Sequence, residues 1–243
     1  MSGADHDAGR QHLLRKLQSL ARLSADDAEA ILALPMDVQT WPANHPLVRE
    51  GDTLSACQLI LDGFACHHKS LPDGSRQVVS FHIPGDFLDL QGLQLGTMDY
   101  GVSTLVPTVV GRVVHTALHE LTWRHPRVAA ALWRDTLADA AVLREWMLCL
   151  GRRTAREHLA HLLCEVAWRF SIILPPVHSM PLTHDDLADS IGLTRVEVSR
   201  ELEGLRRDGL IGLQPSGVAV LDLDGLARVC DFTPAYLHQD RAT

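Results

Sequence analysis

The segment from Thr183 to Leu221 constrains this chain more than any other, because capping residues, glycines and apolar spacing follow one another in a narrow order. Thr183-His184-Asp185-Asp186 caps a short helix over Asp186 to Ser190, with Leu187, Ala188 and Ile191 turned inward. Gly192 supplies a sharp turn. Thr194-Arg195-Val196-Glu197 then forms a capping box, in which threonine oxygen and glutamate each satisfy a backbone N–H left unpaired at a helix start. The helix from Thr194 to Arg207 carries Val198, Leu202 and Leu205 on one face. Leu210 to Leu213 and Gly217 to Leu221 follow as short strands about the turn Gln214-Pro215-Ser216-Gly217. Helix, glycine turn, second helix and β-hairpin make a winged helix-turn-helix, an element that reads DNA.

The first turns of such a second helix enter the major groove, so the candidate contacts are Arg195, Val196, Glu197, Ser199 and Arg200, with Thr183 and Thr194 at the helix starts. Arg200 can hold guanine O6 and N7 in a bidentate fork, a pairing worth roughly 1–3 kcal/mol of discrimination. Ser199 and Arg195 suit a base edge or a phosphate oxygen. Glu197 could accept from cytosine N4, but the capping box claims the same carboxylate. Arg206 and Arg207 complement the helix dipole as readily as they touch phosphates. The formal net charge of −8 runs against the basic footprint usual in nucleic-acid binding, so this expectation rests on local pattern.

Upstream, Gln11 to Leu34 reads as helical, with Ser24-Ala25-Asp26-Asp27 capping a second short helix. From Val38 the period changes. Leu47-Val48, Cys57 to Leu61, Val78 to Ile83 and Val109 to Val114 are short apolar runs between turn signals, and they predict an antiparallel sandwich or barrel ending near Thr116. Pro72-Asp73-Gly74 marks a hairpin, proline presetting φ and glycine accepting a positive one. Pro126 to Leu150 then reads as one long helix. Ala129, Leu132, Thr136, Leu143, Trp146 and Leu150 fall near a heptad seam, and Asp139 falls on it too, so periodicity allows a dimer seam or a helix packed on the sandwich. Gly151 reads as a hinge before a second helix, Arg152 to Phe170.

No signal-type apolar stretch opens the chain, and no run of about 18 apolar residues occurs, which points to the cytoplasm. The five cysteines are scattered without a C-x-x-C pair, against a disulfide framework or a compact metal site. His67-His68, His82 and His115 are placed on strands, and His158 and His161 share a helical face without an identifiable third ligand. A cupin-type metalloenzyme would need a His-x-His cluster that His67-His68 does not provide. Nothing resembles a nucleophile with a positioned base, so the chain reads as a non-enzyme.

Four groups of residues carry a family resemblance: Val48-Arg49-Glu50-Gly51-Asp52, Leu61-Asp62-Gly63, Pro84-Gly85-Asp86-Phe87, and Leu187-Ala188 with Val198-Ser199-Arg200. In this order they resemble the Crp-Fnr (catabolite activator and fumarate–nitrate reduction) regulators over nearly the whole chain. The resemblance implies an α+β protein. A β-roll (a cyclic-nucleotide-binding-like jelly roll) with N-terminal helices would span 1–125, a dimerisation helix 126–151, and a winged helix-turn-helix 152–243. It implies a homodimer on a near-palindromic site in double-stranded DNA, with RNA polymerase as a further partner. It would place an effector among Phe87, Leu90, Gln91, Tyr100 and Ser103.

Departures from that pattern matter as much. No arginine lies between Phe87 and Arg112, so a cyclic phosphate would lack its guanidinium partner, which argues against cyclic AMP held in the family's usual way. Met1 to Leu34 contains no cysteine, which argues against an iron–sulfur centre. Haem with histidine or cysteine ligands stays compatible with the composition. Val196 stands where the family often carries a base-reading glutamate, so the half-site is open, and a thymine methyl would suit it. The competing reading is a protein that keeps the fold without binding cyclic nucleotide, as an interaction module or a haem- or metal-sensing regulator.

Overall fold

Turn residues cut 37–114 into short extended pieces, and in the computed structural model, which describes residues 3–173 and 179–239, these pieces stack as two antiparallel sheets. Two helices precede them, α1 (Gly3–Leu20) and α2 (Ala25–Leu32), the latter started by a Ser24/Asp27 capping box. The strands are β1 (Asp37–Trp41), β2 (Pro46–Val48), β3 (Ala56–Asp62), β4 (Ala65–Ser70), β5 (Arg76–His82), β6 (Gly101–Thr104) and β7 (Thr108–Val114). One sheet has the order β1-β7-β3 and the other β2-β6-β4-β5. The β4–β5 hairpin turns at Gly74, whose φ of 88° needs a residue without a Cβ. Val48, Ile60, Ala65, Val102 and Val110 fill the space between the sheets. Strands β1, β4 and β6 carry no long β-branched run, and pairing with their neighbours holds them extended.

The helical half is α3 (His115–Arg124), α4 (Pro126–Arg152) and α5 (Ala155–Ile173). His115 therefore opens a helix and does not sit on a strand. Leu59, Leu61 and Val113 on the outer face of the three-stranded sheet pack with Leu13 and Leu17 of α1 and with Val128, Ala131 and Leu132 of α4. This contact decides which side of α4 faces its own chain. Leu132 and Trp146 are buried and Asp139 turns the same way, whereas Ala129, Trp133, Thr136, Ala140, Leu143, Met147 and Leu150 form the outward stripe. Of the residues near that seam, Ala129, Thr136, Leu143 and Leu150 face outward, whereas Leu132, Asp139 and Trp146 turn toward their own chain. A heptad fixes the first set, but a step of three or four residues both stay near the same face.

Gly151 lies within α4 and is not the hinge. The break comes at Arg153, extended at φ −90° and ψ 150°, where Thr154 and Glu157 cap the start of α5. A helix tolerates one glycine at roughly 1 kcal/mol, while a capping box defines a new start. Beyond it come β8 (Ser179–Met180), α6 (His184–Ile191), α7 (Arg195–Arg207), β9 (Ile211–Gln214), β10 (Gly217–Val220) and α8 (Leu223–Cys230). The small sheet has the order β8-β10-β9. Leu159, Leu162, Leu163 and Val166 of α5 share a core with Val198, Leu202, Leu205 and Leu226. No described helix is long and apolar enough to cross a membrane.

Candidate nucleic-acid interface

Both helix starts in this segment are built from side chain–backbone reciprocity. Thr183 Oγ1 accepts from the Asp186 N–H at 3.1 Å, and the Asp186 carboxylate accepts from the Thr183 N–H at 3.0 Å. Gly192, at φ 69°, ends α6 and lets α7 leave at an angle. Thr194 and Glu197 repeat the box, with N···O distances of 3.3 and 2.9 Å. These bonds from Thr194 hold the Glu197 carboxyl below its usual range. It is an ionised acceptor already in use.

With Val198, Leu202 and Leu205 fully buried, the opposite face of α7 is committed to solvent. Val196 is 78% exposed at its first turn. Arg195 is exposed and touches Asp185 only at 3.4 Å. Arg200 spends its Nε on Glu201 at 3.1 Å, and its side chain is exposed. Ser199 is half-buried and tied to His184 Nδ1 at 2.8 Å, which joins α6 to α7. At the far end, Arg206 is neutralised by a two-point contact with Glu203, 2.7 Å for each bond. Arg195 and Arg200 thus present their charge at the start of the helix, and Arg207, which donates to the Glu203 carbonyl, at its end.

The β-roll touches this unit directly. Arg76 Nε on β5 donates to Asp189 Oδ2 at 2.8 Å, and Gln77 Nε2 donates to the Ser190 carbonyl at 2.9 Å, both on α6. A buried ionic cluster lies deeper. Lys16 of α1 meets Asp86 at 2.7 Å and Asp135 of α4 at 2.8 Å, and Arg169 of α5 meets Asp86 at 2.6 Å. Although burial would push its carboxyl up, Lys16 and Arg169 hold Asp86 well below the usual range. Burial, then the nearby Asp135, push Asp139 up. The cluster joins roll, α1, α4 and α5, and of its members the sequence marks only Asp86, as part of a turn, and Asp139, on the α4 heptad. An aspartate pair at 135 and 139 beside apolar positions of α4 was the available signal.

The five residues placed in an effector region are not gathered into one cavity. Phe87 packs in the layer between the three-stranded sheet and the helices α1 and α4. Leu90 and Gln91, in a 3-10 turn, line a cleft of about 570 Å³ together with Trp133 and Thr136 of α4. Tyr100 Oη donates to Gln91 Oε1 at 2.7 Å, and its ring stacks on His67, 4.3 Å between centroids. Ser103 bonds His68 Nε2 at 3.0 Å.

A cyclic nucleotide, the ligand the resemblance suggests for the roll, does not fit these residues. The nearby cations Lys16 and Arg169 are consumed by Asp86 and Asp135, and Asp89, fully buried, is pushed up to about 7 by that burial. Among the described residues around this region, an incoming phosphate would meet carboxylates and no unpaired guanidinium.

Of the histidines marked in the sequence, His67, His82, His158 and His161 are buried. His67 and His82 lie ring to ring at 3.8 Å, and burial lowers both. Burial, with Arg153 nearby, lowers His158 and His161 to about 4, and His161 stacks on Tyr236. Two of the scattered cysteines, Cys164 of α5 and Cys230 of α8, share the core, where the Cys230 thiol donates to the Leu226 carbonyl at 3.4 Å.

Comparison with known proteins gives matches along most of the chain. Residues 38–125 match the cyclic nucleotide-binding domain model, and residues 157–229 match the Crp-like helix-turn-helix domain model. The transcriptional activator protein FnrL of Cereibacter sphaeroides is 32% identical over 182 residues, 72% of this chain and 73% of its own. The nitrogen fixation regulation protein FixK of Bradyrhizobium diazoefficiens is 30% identical over 187 residues, 75% of this chain and 77% of its own. The structure of FixK2 from Bradyrhizobium japonicum superposes with a TM-score of 0.70 at 27% identity, covering 81% of this chain and 98% of that one.

Proposed function

Since the chain belongs to the Crp-Fnr family of DNA-binding transcription regulators, we propose that it reads a near-palindromic operator as a homodimer, with α7 in the major groove and α4 as the seam between protomers. The observation that carries this reading is the sidedness of α7. Its apolar positions are spent on the core of its own unit, while Arg195, Val196 and Arg200 stay exposed at the end that enters a groove. Arg200 would hold a guanine edge and Val196 a thymine methyl. Arg195 and Ser199 would hold phosphate or base, and Thr183 and Thr194 would fix the approach to the backbone.

The seam is the exposed stripe of α4. Trp133, Leu137, Leu143, Met147 and Leu150 are each about half exposed or more, and an uncovered stripe of this size marks a contact surface. Heptad spacing matches a second copy of the same helix. The control input is the roll, acting through Arg76 and Gln77 on α6. The cytoplasm, where operator DNA is found, is the compartment this role requires.

Selection of bound sites from random-sequence duplexes tests the reading. Two inverted half-sites one helical turn apart are the expected result. Enrichment of a single asymmetric site, or no enrichment at any ionic strength, would overturn it.

A further inference from the structure

Where α1 ends against α4, a cleft of about 510 Å³ opens, and its charge is opposite to that of the molecule. The chain carries 30 acidic against 22 basic side chains, yet three arginines line this cleft and no acidic side chain does. Arg22 follows α1, and Arg127 and Arg134 stand two turns apart on α4; Gln18 and Ser19 add neutral polar groups. Arg134 donates one bond to the Leu20 carbonyl at 2.7 Å, which ties down the end of α1 and leaves the rest of its fork without a carboxylate. Arg127 approaches a carboxylate only at 3.8 Å, that of Asp27, which already accepts from Ser24 and His125. Arg22 has no ion-pair partner among the described residues.

Three guanidinium groups thus share one cleft in a chain with acids to spare. Carbonyls at the end of α1 offset part of their charge, and the Leu20 oxygen is already taken. We propose that this cleft is a binding site for a small phosphorylated anion. Guanidinium forks match the oxygens of a phosphoryl group in pairs, where a lysine would offer only a point charge. The volume lies within the range of small-molecule sites, well above what a single ion needs. The site is distinct from the roll interior and from α7.

Calorimetric titration of the full-length protein with pyrophosphate at fixed ionic strength tests the proposal, with citrate as the carboxylate counterpart. Saturable binding at one site per protomer is expected, weakened at least tenfold in Arg22→Gln/Arg134→Gln and retained in Arg195→Gln/Arg200→Gln. If the double variant loses cooperative unfolding, the single variant Arg22→Gln decides, since that side chain anchors nothing in the fold. Absence of saturable binding, tighter binding of citrate, unchanged binding in the arginine variants, or loss only in the α7 variant would each overturn it.

Discussion

Lys16 Nζ lies 2.7 Å from Asp86 Oδ1, with both side chains more than nine-tenths buried, and this pair pins the N-terminal helix to the turn that ends β5. The turn in turn holds Arg169 of α5, so three parts of the chain meet at one carboxylate.

Breaking this contact from one side leaves a charge stranded. Lys16→Met keeps the volume but leaves Asp86 with Arg169 alone and sets Asp135 beside Asp139 without their cation. Removing one partner of a buried ion pair typically costs about 3–5 kcal/mol, and a loss of that order is expected in chemical denaturation. Lys16→Met/Asp135→Leu should recover part of it. A double variant no better than the single one would show that the aspartate is not the stranded charge.

Asp89 gives a pH dependence with a definite sign. Burial raises its folded pKa to about 7, above the unfolded carboxylate value, so the folded state holds the proton more tightly. The resulting stability is complete below the unfolded pKa and is lost as pH rises toward 7. Asp89→Asn imitates the protonated form and can still accept from the Gln58 N–H, now at 2.7 Å. Relative to wild type, the variant should gain on the order of 1–3 kcal/mol between pH 4 and pH 8. A pH-independent difference would contradict the assigned burial effect.

The α4 stripe predicts a change of mass without loss of fold. Met147 is 73% exposed in the single chain, so Met147→Lys should keep the wild-type circular dichroism spectrum, sediment as a monomer, lose the concentration dependence of its unfolding midpoint and lose high-affinity operator binding. A persistent dimer would move the interface elsewhere.

Fold and output were largely legible, because capping boxes and glycine turns are local: Thr183/Asp186, Gly192 and Thr194/Glu197 each declare themselves within four residues. What was hidden depends on distance in sequence. Lys16 and Asp135 are 119 residues apart, and Arg76 and Asp189 are 113 apart, so no local pattern could pair them. The inward turn of Leu132 and Trp146 likewise needed α1 and the sheet, which choose one of two seams the heptad allows. The residues of the expected effector region are dispersed for a related reason. Phe87 and Tyr100 are close in the chain yet enter different layers of the core.

The capping role of Glu197 separates architecture from readout. Glutamine serves equally at that position of a capping box, so Glu197→Gln should leave base preference at every operator position unchanged. Thr194→Ala removes the N-cap oxygen and should cost about 0.5–2 kcal/mol of stability. A change of preferred base in Glu197→Gln would instead make the carboxylate a reader of cytosine.

The most direct test of sequence reading by α7 is competitive binding of wild type and Arg200→Ala to a selected operator and to its single-base variants, across a salt series. The account predicts that Arg200→Ala loses roughly 1–3 kcal/mol of discrimination at one symmetric guanine, with little change elsewhere. Uniform weakening at all positions, with a shallower salt slope, would contradict it and reduce Arg200 to a phosphate contact.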